Sequence, residues 1–480
     1  MLIGVYHGEQ VTRSQTPLYP LITDDQFPPD LLQDLVTQVP RDQFSSAMSP
    51  MLQQCLGEAS RTRLVSPRFQ IPLLTLARLC DVKDSSGSRP VADLLVSNSS
   101  WLPESLTPAI GSEVVSLSFL GPFLAPTVFP EEDSGVADQY LSGEQMTVTQ
   151  VKTATSELQP TLELYRKQLH ELFYPILANK SSKSKCLDWL AAALNRNSKR
   201  QQLQANERLV AGDGFMLNLV SVLQLLSSKV KQDKVDPCYL YMDKCRVDTA
   251  EDSRLKASSQ DFKEFSEKQI KGKEANFPTE CWWLTLFAHH VGVLPIIRRY
   301  QRRLRALREL QKMVEELEKN EHAWKNHPSA HQNRKMIKKW KQQIKKQSKS
   351  KTCADIGLLD EQLFSRCLSF YSSVCEHIMR LLDPENFHLP QLEQNQEPPN
   401  LFKLLPEWVV DDLADFLLFG LQFMPGTVSN LVDNGIVTWL LVSLSHTHHF
   451  SNPYLVSKLV EILFVVNPAV QEKTGDMYNR

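Results

Sequence analysis

Two adjacent apolar rows on single helices constrain this chain most. After Asn452-Pro453, residues Leu455, Leu459, Ile462 and Val466 recur at spacings of four, three and four, and Val456, Val460 and Leu463 form a second row beside them. The stretch Phe215 to Val230 repeats the pattern, with Phe215, Leu219, Val222 and Leu226 on one row and Met216, Val220 and Leu223 on the next. A helix apolar over so wide a face needs neighbours on more than one side. Runs at 185–194, 407–424 and 435–444 follow the same rule, separated by polar joints that contain proline, and no constant repeat period links them. Ser66-Pro67 and Asn452-Pro453 each place a capping side chain before a proline, which suits the first helical position because its missing N–H has no partner there. Glycine is scarce, at 17 of 480 residues. The expectation is an all-α chain: an irregular armadillo- or HEAT-like α-solenoid in which each helix pair covers its face by stacking on the next. Residues 1–45 mix proline with short apolar clusters and read as a divergent, loosely ordered entry segment, with the core running from 46 to 480.

Charge is segregated. The chain carries a formal net charge of −2, yet residues 298–351 hold 18 lysines and arginines against 5 glutamates, a local net of +13. Within that stretch Leu307, Leu310, Val314, Leu317 and Trp324 form a thin heptad seam, and Met336, Trp340 and Ile344 recur every four residues. The polar segment from Asn320 to His331, which contains Pro328, is expected to turn the chain, so that 298–351 forms an antiparallel helical hairpin projecting from the stack. Its basic surface has three readings: a solvated face, a nuclear-localisation or nucleic-acid patch, or a dock for an acidic protein. Nucleic acid is the weakest of them, because base-stacking and base-reading motifs are absent apart from Tyr300, Trp324 and Trp340. The partner-binding candidates are Arg302, Arg305, Lys338, Lys339, Lys345 and Lys346.

Other signals reduce to structure. Nine cysteines without a Cys-x-x-Cys pair read as reduced buried thiols, and Cys375 and His377, two apart on a helix, face different ways and make no catalytic pair. His446, His448 and His449 lack a fourth ligand and read as a loop, and the adjacent His289 and His290 read as core histidines. Ala211-Gly-Asp-Gly-Phe215 lacks the Lys-Ser/Thr of a phosphate loop and reads as a turn opening a helix. No catalytic residue, cofactor site or metal site is expected. Cys281 to Ile297, the most membrane-like run, contains two histidines, Gly292 and Pro295 and reads as a buried helix, so no membrane partner is expected. Nothing at the N-terminus reads as a secretory signal.

Four runs go further: Val210-Ala-Gly-Asp-Gly-Phe-Met-Leu-Asn-Leu219, Phe277-Pro-Thr-Glu-Cys-Trp-Trp-Leu-Thr-Leu-Phe-Ala-His-His290, Arg298-Arg-Tyr-Gln-Arg-Arg-Leu-Arg-Ala-Leu-Arg-Glu-Leu310 and Asn452-Pro-Tyr-Leu-Val-Ser-Lys-Leu-Val-Glu461. Together with Trp101-Leu-Pro-Glu-Ser-Leu106 and Leu120-Gly-Pro-Phe123 they resemble the core of the ubiquitin conjugation factors (the E4 family), closest to the B paralogue, over about residues 60–475. The resemblance implies a core that carries a U-box, which recruits a ubiquitin-conjugating enzyme and elongates chains on already ubiquitylated substrates for proteasomal degradation. It also implies an AAA segregase as partner and a location in cytoplasm and nucleus. No U-box is expected before Arg480, so this polypeptide is expected to lack autonomous ligase activity, the alternative being a non-catalytic binding module or competitor of the full-length ligase. Ile462, Leu463 and Phe464 are expected to make a sticky face.

Overall fold

The computed structural model describes residues 18–23 and 29–467, except 109, 144–145, 269–270 and 394. The chain is all-α. Its principal helices are α1 (Arg41–Ala59), α2 (Ile71–Asp81), α3 (Val148–Ala178), α4 (Lys183–Asn195), α5 (Asp213–Ser227), α6 (Phe277–Ala288), α7 (Leu294–Lys319), α8 (Ala330–Leu358), α9 (Glu361–Leu382), α10 (Trp408–Phe423), α11 (Asn434–Ser445) and α12 (Pro453–Val466). Extended pairing among the described residues is confined to one antiparallel bridge, Arg254 with Pro406.

Packing runs down the chain. α2 lies on α3, α3 on α5, α5 on α6 and α9, α9 on α11, and α10 and α11 on α12. This order follows from the doubled apolar rows: on α5, Phe215, Met216, Leu219, Val220, Val222 and Leu223 are all buried, because neighbours cover both rows. The run Cys281 to Ile297 is core as well, passing from α6 through a π turn at His289–Val293 into α7, and no single described helix is long and apolar enough to cross a membrane.

Two local expectations change. Ser66-Pro67 opens no helix: Ser66 Oγ instead accepts from the Arg63 N–H at 3.1 Å in a turn, and α2 begins at Ile71 with Pro72 in its first turn. Residues 1–17 and 24–28 of the expected entry segment lie outside the described residues; α1 runs across residue 45 with Phe44 and Met48 in the core, and Tyr19 donates to Glu58 at 2.6 Å. On α12 only the row Leu455, Leu459, Ile462 is buried, against α10 and α11, so Ile462 belongs to the core; Val460, Leu463 and Phe464 face outward.

Asn452 does cap α12, its Oδ1 accepting from the Tyr454 N–H at 3.0 Å. Asn452→Ala is expected to lower stability by about 1 kcal/mol, read as a shift in urea midpoint. No shift would mean that the cap is redundant with Pro453.

A candidate docking surface on the basic hairpin

α7 and α8 form the antiparallel hairpin, joined through a short turn that includes Glu321–Trp324. The seam closes as its spacing predicts: Leu307, Leu310, Val314 and Trp324 are buried, Leu317, Met336, Trp340 and Ile344 half-buried. Trp324 folds back to donate its Nε1–H to the Leu317 carbonyl at 2.8 Å.

The basic charge divides in two. At the base it is consumed by the stack: Arg298 pairs with Asp415 at 3.0 Å, Arg299 with Asp213 at 2.8 Å and Arg303 with Glu131 at 2.8 Å, while Tyr300 donates to Asp355 at 2.7 Å. Arg299 joins a buried node in which Arg200 reaches Asp213 at 2.7 Å and donates to the Val291 carbonyl at 2.9 Å. Burial pushes the Asp213 carboxyl up, but the guanidinium groups of Arg200 and Arg299 outweigh it and hold the carboxyl below its ordinary value.

Beyond the base the cations are exposed. The six candidates are all exposed, but they do not form one site. Arg302 donates to the Leu203 carbonyl and Arg305 follows it by one turn of α7, at the level of Arg303, which donates to the Ser350 carbonyl at 3.3 Å. Lys338 lies twelve residues of helix away from Ser350, about 18 Å. Lys338 and Lys345 share one face of α8 with Arg334 and Lys341 and line an open trough of about 510 Å³ with Trp324 and Ile337. Lys339 and Lys346 are each one position further on, turned by about 100°. Residue counting does not reveal the trough, because its floor depends on Trp324 folding back; the four-residue spacing of Arg334 and Lys338 is the only local sign of it.

The remaining candidates resolve into structure. The 211–215 turn opens α5, and the Gly214 N–H that a phosphate would use donates to Glu132 at 2.8 Å. A Cβ at Gly212 would lie 2.1 Å from the Glu132 side chain, which explains the glycine there. His448 and His449 both turn Nε2 to the Gln396 carbonyl at 3.0 Å, so those nitrogens carry hydrogen and offer no lone pair to a metal. His290 pairs with Asp412 at 2.6 Å and stacks on Trp408. All nine cysteines are unpaired, and burial raises every thiol, Cys281 and Cys353 to about 12 and Cys367 to about 11, the reverse of what a nucleophile needs.

Residues 120–480 match the family model described as ubiquitin elongating factor core. The chain belongs to that family. It is 24% identical over 476 residues to the ubiquitin conjugation factor E4 of Schizosaccharomyces pombe, a match covering 97% of this chain and 45% of that protein. It is 25% identical over 405 residues to the ubiquitin conjugation factor E4 ufd-2 of Caenorhabditis elegans, covering 80% and 39% respectively. The E4 ubiquitin-protein ligase UFD2 of Saccharomyces cerevisiae is 22% identical over 316 residues, covering 59% and 32%. This elongating-factor core therefore spans less than half the length of the curated relatives it matches.

Proposed function

We propose that this chain is the non-covalent core of a ubiquitin chain-elongating ligase, an armadillo- or HEAT-like scaffold that holds ubiquitylated protein substrates while a U-box and its conjugating enzyme perform transfer. The observation that carries the reading is the family match over residues 120–480. The raised thiols support it, since burial makes them poor nucleophiles, and holding reactants in register is itself worth several orders of magnitude in rate. On this reading the core serves proteasomal degradation in cytoplasm and nucleus and works beside an AAA segregase. A second reading, a binding module that occupies substrates without elongating their chains, is favoured by the exposed cations of the hairpin.

Ubiquitylation reconstituted from activating enzyme, conjugating enzyme and a mono-ubiquitylated substrate separates these readings. Long chains are expected when a family U-box is fused to this core, and none with the core alone. Chains formed by the core alone would reveal a catalytic element outside this reading. A fusion that elongates no faster than the isolated U-box would favour the binding module.

A further inference from the structure

α8 holds nine lysines and arginines, and its first carboxylate is Asp355. Several of those cations lie four residues apart on one face: Arg334 with Lys338, Lys335 with Lys339, Lys341 with Lys345 and Lys345 with Lys349. Like charges at that spacing repel and destabilise the helix. Lys341 is relieved across the hairpin by Glu318 at 2.6 Å, whereas Arg334, Lys338 and Lys345 have no carboxylate partner among the described residues. The three line the trough floored by Trp324 and Ile337, so unneutralised charge borders apolar surface. From Arg334 to Lys345 the ladder runs about 17 Å, three turns of helix.

We infer that this trough is a docking site for an acidic amphipathic helix of a protein partner, with an apolar side chain on Trp324 and Ile337 and carboxylates along Arg334, Lys338 and Lys345. Helix-in-groove recognition needs such a combination of an apolar floor and a matched row of charges. Two features select protein over nucleic acid. Glu318 and Glu321 form the opposite wall, where a phosphodiester backbone meets repulsion and a helix can present a polar or basic residue. A net charge of −2 with +13 on the hairpin leaves the rest of the chain strongly acidic, so a polyanion longer than the hairpin is repelled where it runs onto the stack. The inference goes beyond the ubiquitin-ligase reading and stands without it.

The test uses the full chain and a fluorescein-labelled 15-residue helical peptide with leucine at heptad spacing, glutamate on the flank that meets Arg334, Lys338 and Lys345 and lysine on the flank that meets Glu318 and Glu321, followed by fluorescence anisotropy. Micromolar binding is expected, weakening about tenfold between 50 and 300 mM NaCl. Lys338→Glu with Lys345→Glu is expected to weaken it at least tenfold, and Lys339→Glu with Lys346→Glu, one position further round the helix, less than threefold. Both pairs replace exposed lysines and relieve like-charge repulsion, and far-UV circular dichroism checks that both fold. Equal loss from the two pairs would reduce the surface to diffuse charge and overturn the site. Tighter binding of a 20-nucleotide single-stranded RNA than of the peptide would overturn the partner class. A dimer of the free chain, seen by sedimentation and abolished by Lys338→Glu with Lys345→Glu, would make a second copy the occupant and overturn the proposal.

Discussion

Asp213→Ala is expected to destabilise the core by about 3–5 kcal/mol, the usual cost of stripping one partner from a buried ion pair. The side chain of Arg200 is fully buried and keeps its charge, so without Asp213 that charge loses its ion-pair partner and is left with the carbonyls of Val291 and Ala211 and the more distant Glu132 carboxyl. Asp213 is also the first residue of α5, where a carboxylate favours the helix dipole. Arg200→Met is expected to cost a similar amount, and the double variant Arg200→Met with Asp213→Leu less than the sum, because the fully buried pair is then removed together and Arg299, partly exposed, keeps Glu207 at 3.8 Å. Urea midpoints give the magnitudes, and hydrogen exchange gives the location: protection should fall first over 198–227 and 289–303, the segments tied by the node. Additive losses would show that Arg200 and Asp213 act separately. The node also receives Arg299 from the first turns of α7, so the same variants should loosen the joint on which the hairpin turns.

That joint marks the limit of what local pattern reveals. Periodicity places α5, α11 and α12 to within a few residues, and the heptad seam predicts the hairpin with its turn, because those signals arise from neighbours three to seven positions apart. The fate of three cations at the hairpin's base depends on residues far along the chain: Asp415 for Arg298, Asp213 for Arg299 and Glu131 for Arg303. Spacing cannot supply those partners, so a uniform basic run is the natural reading of a surface that is half structural and half free. Ile462 shows the same limit on an apolar row, since which of two adjacent rows faces inward is decided by where α10 lies. Ser66-Pro67 fails for another reason: a proline after a capping residue fits a turn as well as a helix start, and the run after it opens four residues later at Gln70-Ile71.

Lowering the pH from 7 to 5 is expected to cost about 4 kcal/mol through two buried histidines, about 2 from each. His289 donates from Nδ1 to the Thr285 carbonyl at 2.8 Å, and its Nε2 meets the amide nitrogen of Gln224 at 3.0 Å and accepts from it. Gln224 cannot turn to receive a proton, because its oxygen accepts from Arg366 at 3.3 Å. His377 donates from Nδ1 to Gln232 at 3.1 Å, and its Nε2 is buried without a partner. Burial lowers His289 from 6.5 to about 4, and burial with Arg380 nearby lowers His377 to about 3. Below pH 6.5 the unfolded chain therefore binds a proton at each of these two sites that the folded chain refuses, so their contribution to stability is present above 6.5 and is lost as pH falls toward the folded values. His289→Gln with His377→Gln should shrink the difference in urea-derived stability between pH 7 and 5 by about 4 kcal/mol, whatever it does at pH 7. An unchanged difference would mean that both imidazoles find acceptors when charged. Because His289 sits in the π turn between α6 and α7, acid should open the molecule where the hairpin joins the stack, and protection over 285–303 should be lost before that of α3.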